Sequence, residues 1–326
     1  MRTTETTFPV RSGSKAGGGV TVPPSMALDA FHPDLHLAAR LLPRGAIGPR
    51  MLRPVRIAGG LMARKPPKDV RVEAVGPISV RVHRPPSSQS ELPALLWVHG
   101  GGYVLGTAAQ EDAVCRRFAQ EVGIVVASVE YRLAPEHKFP VPLDDCHAAL
   151  VWLARQPYVD PGRIAVGGAS AGGGLAAGLA LLALERGEVA PAFQLLSYPM
   201  LDDRTATRTD IDETDFRLWN NKANRFGWQS YTGLAPGSSE ISGLAAPARY
   251  EDLSGLPPAW IGVGTLDLFC DEDRSYAGRL RAAGVQCDLE IVEGAFHGFD
   301  SVRPKAGVTE AFRSSQVSAL TAALRR

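Results

Sequence analysis

Arg163-Ile164-Ala165-Val166-Gly167-Gly168-Ala169-Ser170-Ala171-Gly172-Gly173-Gly174 decides the architecture of this chain. The apolar run Arg163–Val166 reads as a buried strand, and Ala171–Arg186 reads as a strong helix. Between them only small residues flank Ser170. A sharp strand-to-helix turn needs small flanks, and Gly168 and Gly172 supply them. The turn presents Ser170 at the end of a strand, with the positive end of the following helix beneath it. By composition alone a Gly-x-Ser-x-Gly pattern arises in roughly one chain in ten, so the motif gains its meaning from this strand–turn–helix setting.

The same rhythm extends both ways. Short continuous apolar runs occur at Ala94–Val98, Ile124–Val129, Phe193–Ser197, Ala259–Val263 and Cys287–Val292. They alternate with helical patterns at Ala109–Val122, Leu143–Ala154, Asp271–Ala283 and Thr309–Leu324. Strands without alternation are buried on both faces, which predicts a parallel sheet with helices on both sides, an α/β fold. Val70–Val75 and Ile78–His83 do alternate and are joined at Gly76-Pro77, so they predict an antiparallel hairpin at the sheet edge. The total is a mostly parallel eight-stranded sheet flanked by helices.

Three segments stand outside it. Residues 1–25, rich in Thr, Ser, Gly and Pro, read as a disordered tail. Within 26–69, Ala27–Leu42 and Pro49–Ala63 carry helical spacing. Residues 201–249 are too long for a simple loop and carry Trp219, Phe226, Trp228 and Tyr231, so they predict a helical insertion. Segments 26–69 and 201–249 are expected to form a helical cap over a catalytic unit of 70–200 and 250–326.

Bulk properties narrow the function. The chain has 326 residues, 45% of them apolar, and a formal net charge of +1. No basic stripe suggests nucleic acid, and no stretch is long and apolar enough for stable membrane insertion. Cys115, Cys146, Cys270 and Cys287 are scattered, without zinc spacing, and read as free thiols in a reducing, cytoplasmic compartment. No metal or cofactor is expected.

Two further motifs complete a chemistry around Ser170. His99-Gly100-Gly101-Gly102-Tyr103 follows the run Ala94–Val98. Its glycines let backbone N–H groups face a cavity, as an oxyanion hole requires. Gly101 and Gly102, with the N–H of Ala171 after the serine, are the expected donors. Tyr103 is expected at the wall of the substrate pocket, with packing as the alternative, and His99 is expected to fix the loop rather than react. Ala295-Phe296-His297-Gly298-Phe299 follows the last strand and lies C-terminal to Ser170, as the order Ser…Asp…His demands. His297 is the candidate base. The candidate acids are Asp267 and Asp271. Asp267 lies just beyond the carboxyl end of Ala259–Val263, where such sheets place their sites; Asp271 fits a helix start better.

Taken together, His99–Tyr103, Tyr131–Glu136, Gly168–Gly173, Ala295–Phe299, Ser197–Leu201 and Gly255–Ala259 resemble the bacterial hormone-sensitive-lipase-like esterases of the α/β-hydrolase fold. The resemblance spans roughly residues 70–325. It implies a serine carboxylesterase acting on small short-chain acyl esters, a helical cap, and Asp267 as the acid, although Phe269 and Cys270 depart from the family's residues there. It also implies a homodimer through strand 287–292. Ala169 departs as well: the family carries Asp or Thr at that position. A serine peptidase or acyltransferase using the same triad, or a non-catalytic receptor on the same fold, are the competing readings; the receptors lack a working histidine.

Overall fold

The computed structural model describes residues 28–45, 52–57, 60, 66–86 and 90–325. The tail 1–25 and part of the helix expected at Pro49–Ala63 lie outside the described residues. Eight strands form one sheet: β1 (Val70–Val75), β2 (Ile78–His83), β3 (Leu92–Val98), β4 (Val125–Glu130), β5 (Val159–Ala169), β6 (Phe193–Ser197), β7 (Ala259–Leu266) and β8 (Cys287–Phe296). Their order is β1-β2-β4-β3-β5-β6-β7-β8. The β1–β2 and β2–β4 pairs are antiparallel and the others parallel, so the hairpin forms one edge and β8 the other.

The continuous apolar runs have the expected cause. In β3, Leu92, Ala94, Leu96 and Val98 join one hydrophobic cluster, while Leu95 and Trp97 join another on the opposite face. The first cluster is closed by α4 (Val141–Ala154) and α5 (Ala171–Arg186). The second is closed by α1 (His36–Leu41), α3 (Asp112–Val122) and α9 (Gly307–Leu324). Between α1 and α3, residues 52–57 form the short α2. Every residue of α5 from Ala171 to Ala183 is buried, which is why this helix is apolar all round.

Two segments are less helical than their sequence predicts. Ala27–Leu42 breaks into 3₁₀ turns at Leu28–Ala30 and Pro33–Leu35 before α1. Pro33 disfavours helical backbone at the preceding residue, and His32 is accordingly extended, with ψ 136°. Residues 201–249 hold one longer helix, α6 (Asn221–Thr232), with 3₁₀ turns at Asp203–Thr207 and Pro247–Arg249. Polar side chains hold the remainder. The Asp203 carboxylate, fully buried, accepts from Arg249 Nε (2.5 Å) and Nη2 (3.0 Å) and from the Gly237 amide (2.6 Å), tying the two ends of the segment together. No helix among the described residues is long and apolar enough to cross a membrane.

Candidate active site

Ser170 sits between β5 and α5 with φ 57° and ψ −124°. This sparsely populated conformation costs on the order of 1–3 kcal/mol, and the neighbours hold it there. The Ser170 amide donates to Ser197 O (2.9 Å), and Ser170 O accepts from the amides of Met200 (3.0 Å) and Gly174 (3.0 Å). A Cβ on Gly168 would lie 2.6 Å from Val98 O, and one on Gly172 would overlap the Val98 and His99 carbonyls. The two glycines flanking Ala169-Ser170-Ala171 therefore let the turn close onto the end of β3.

His297 follows β8 and Asp267 follows β7, so both arrive at the carboxyl edge of the sheet beside Ser170. The Ser170 hydroxyl lies 2.9 Å from His297 Nε2, and His297 Nδ1 lies 2.8 Å from Asp267 Oδ2. Asp267 Oδ1 accepts from the Phe269 amide at 3.0 Å, which fixes the carboxylate's rotation. All three residues are buried. Phe269 and Tyr198 hold the imidazole edge-on, with ring centroids 5.2 and 5.0 Å away. Asp271 is not part of this group: in the first turn of α7 (Cys270–Ala282), it pairs with Arg208 at 2.8 Å on the surface.

The glycine loop lies against the serine. A Cβ on Gly100 would be 3.3 Å from Ser170 Cβ and 2.9 Å from Ala169 O. Gly101 and Gly102 take φ of 124° and 60°, and the Gly101 carbonyl accepts from the Val104 and Leu105 amides (3.1 and 2.9 Å). Ala171 is the first residue of α5, where amides lack intrahelical partners. His99 is buried and bonds Gly100 O through Nδ1 at 2.8 Å, while its ring stacks on Tyr131 at 4.2 Å. Burial lowers its pKa to about 4, so it is neutral and fixes the loop.

Tyr103 is fully buried, stacked on Tyr231 at 4.0 Å, and its hydroxyl donates to Met200 O at 3.1 Å, which is the packing role given as the alternative to a pocket wall. An aromatic directly after the glycines is drawn under the loop because α6 offers it an apolar face.

Several residues near the site escape sequence reasoning. The Tyr198 hydroxyl donates to Asp300 Oδ1 at 2.7 Å, which sets the ring against His297. Tyr198 lies in a stretch that carries the family resemblance; Asp300 offers no signal. The acidic run Asp271-Glu272-Asp273 forms the first turn of α7, and of the three only Asp271 is exposed. Glu272 Oε1 accepts from the amides of Leu201 (2.7 Å) and Asp202 (3.1 Å), pinning α7 to the chain leaving β6.

Asp273 is fully buried, and neither carboxylate oxygen has a hydrogen-bond partner among the described residues. Burial pushes its pKa well up, and the charges of Glu272 and Asp267 push the same way. Because the folded pKa lies above the unfolded one, the native state binds more protons between the two values, and stability falls as pH rises through that window. Asp273→Asn removes the titration. Its Tm is expected to exceed that of the unmodified protein at pH 8, by about 1.5 °C per kcal/mol recovered, with the gap closing toward pH 4. Thermal unfolding monitored across that range checks this; a gap that does not change with pH would contradict it.

The family described as alpha/beta hydrolase fold matches residues 95–301. The chain is 38% identical over 262 residues to the carboxylic ester hydrolase LipN of Mycobacterium tuberculosis, covering 77% of this chain and 68% of LipN. It is 38% identical over 229 residues to the esterase LipI of the same organism, covering 69% and 71% respectively. The solved structure of a bacterial heroin esterase superimposes with a TM-score of 0.83 at 37% identity, covering 92% of this chain and 99% of that one. The chain belongs to the hormone-sensitive-lipase-like esterases of the α/β-hydrolase superfamily.

Proposed function

We propose that this protein is a serine carboxylesterase that hydrolyses short-chain acyl esters with Ser170 as nucleophile, His297 as base and Asp267 as the acid that orients the histidine. The observation that carries the reading is the continuous hydrogen-bonded line from Ser170 Oγ through His297 to Asp267, at 2.9 and 2.8 Å. With Asp267 accepting the Nδ1 proton, Nε2 is left as the acceptor for the serine hydroxyl. Ser170 Oγ then bonds to the ester carbonyl carbon as its proton passes to Nε2. The carbonyl oxygen becomes an oxyanion, held by the amides of Gly101, Gly102 and Ala171. Collapse breaks the bond to the alcohol, which leaves with the proton from Nε2. Water then gives a proton to Nε2 and attacks the acyl carbon. The acid departs, and the proton returns to Ser170. Segments 26–69 and 201–249 serve as the cap, and β8 offers the open edge for a homodimer.

The His297 hydrogen bonds favour this reading over a receptor that only binds. A peptidase would use the same triad, so the leaving group decides. Matched 4-nitrophenyl acetate and 4-nitroacetanilide separate the two. The ester is expected to turn over at least about a thousandfold faster, a difference of roughly 4 kcal/mol in barrier. Comparable rates on the anilide would point to amide hydrolysis instead.

A further inference from the structure

We propose that Trp219 limits the length of the acyl group that Ser170 accepts; this rests on the esterase reading above. Its indole fills the space on which the glycine loop borders. A Cβ on Gly102 would overlap Trp219 Cη2 and lie 2.9 Å from Cζ3. From the other side, a Cβ on Gly227 of α6 would come within 3.6 Å of the same Cη2 and 2.9 Å of Gly102 O. The tip of the indole is therefore seated in a notch between two glycines, one from the glycine loop and one from α6. The ring also reaches His297, with centroids 6.2 Å apart. Trp219 is itself buried.

The backbone is held so as to aim this side chain. Leu218 has φ 66°, and the Trp219 amide donates to Arg217 O at 2.7 Å, a tight turn centred on a leucine. Such a conformation is uncommon for a non-glycine residue and persists where the surroundings enforce it. Here the Leu218 amide donates to Pro43 O (3.0 Å), and Arg217 Nε donates to Ala39 O (2.6 Å). On the far side, Asn220 Oδ1 accepts from the Ala223 amide (3.0 Å) and caps α6. The indole itself is fixed by packing alone: Nε1 is buried with no hydrogen-bond partner among the described residues. A side chain placed by its backbone and held only by shape acts as a plug.

The acyl half is the one it faces. After the alcohol leaves, the acyl group remains on Ser170 with its oxygen at the Gly101–Gly102 amides, so whatever abuts Gly102 bounds that group. The alcohol must depart toward solvent, whereas Trp219 lies inside.

The test is the ratio of kcat/KM for 4-nitrophenyl octanoate to that for 4-nitrophenyl acetate, measured on each enzyme preparation. A ratio cancels any difference in the fraction folded. Each additional methylene admitted to an apolar space is worth about fourfold. Trp219→Ala is expected to raise the ratio at least tenfold, Trp219→Leu less, and Trp219→Phe least. An unchanged ratio in an active Trp219→Ala enzyme overturns the proposal. So does a shift seen only when acetyl esters of larger alcohols are compared. Failure of the unsubstituted protein to hydrolyse any ester would overturn the esterase reading itself, which is a distinguishable result.

Discussion

Ser170→Ala is expected to lower ester turnover by about 10⁵-fold or more while leaving the protein folded. The substitution removes one oxygen from a buried position. The bonds that hold the turn all use the Ser170 backbone, namely its amide to Ser197 O and its carbonyl to the Met200 and Gly174 amides. Alanine keeps every one of them. What disappears is the atom 2.9 Å from His297 Nε2. The remaining polar groups can still polarise a carbonyl, so a trace of hydrolysis above the uncatalysed rate is compatible with the account. Steady-state kinetics with 4-nitrophenyl acetate, alongside circular dichroism for folding, provide the check. A folded Ser170→Ala protein that keeps more than about a hundredth of the activity would contradict the nucleophile assignment; a fall of 10⁵ corresponds to roughly 7 kcal/mol of barrier.

Asp267→Asn is expected to cost at least a hundredfold in turnover. The carboxylate accepts from His297 Nδ1 at 2.8 Å and from the Phe269 amide at 3.0 Å. An amide of the same shape can keep one of these contacts, but its NH₂ favours the histidine tautomer protonated on Nε2, which cannot take the serine proton. In serine proteases that change lowers turnover by about 10⁴. Asp271→Asn is the control. That residue is exposed and pairs with Arg208 at 2.8 Å, and exposed pairs contribute about 1 kcal/mol or less. Turnover should stay within a few fold of the unmodified protein. The reverse pattern, with Asp271→Asn inactive and Asp267→Asn active, would show that the acid is misassigned.

The parts legible in the sequence were those enforced by short-range rules. Ala171–Arg186 and Phe193–Ser197 have the predicted bounds, because a helix closed by Gly187 and a strand between turns are fixed by local chemistry. Six of the eight strands are readable as continuous apolar runs, and the β1–β2 hairpin is readable from its alternation about Gly76-Pro77. Ser170, Asp267 and His297 were each readable from their place after a strand, since the carboxyl edge of a parallel sheet gathers whatever follows its strands. What escaped depends on contacts between distant segments. Asp145 carries no signal in the sequence, yet it is buried and holds Arg132 through bonds of 2.7 and 2.9 Å. Asp273 belongs to an acidic first turn and is buried because its helix face turns toward the core. Trp219 stands out only as one aromatic among several; its neighbour Gly102 lies more than a hundred residues earlier in the sequence. The burial of Tyr103 likewise depends on a distant partner, Tyr231 of α6.

The central claim is that Ser170 is a nucleophile activated by His297, and covalent labelling tests it most directly. The unsubstituted protein is treated with a fluorophosphonate, and the adduct is located by peptide mass mapping. One label per chain, carried on Ser170 and lost together with esterase activity, is the predicted result. Full ester hydrolysis with no adduct on Ser170, or inactivation by labelling of a different residue, would contradict it.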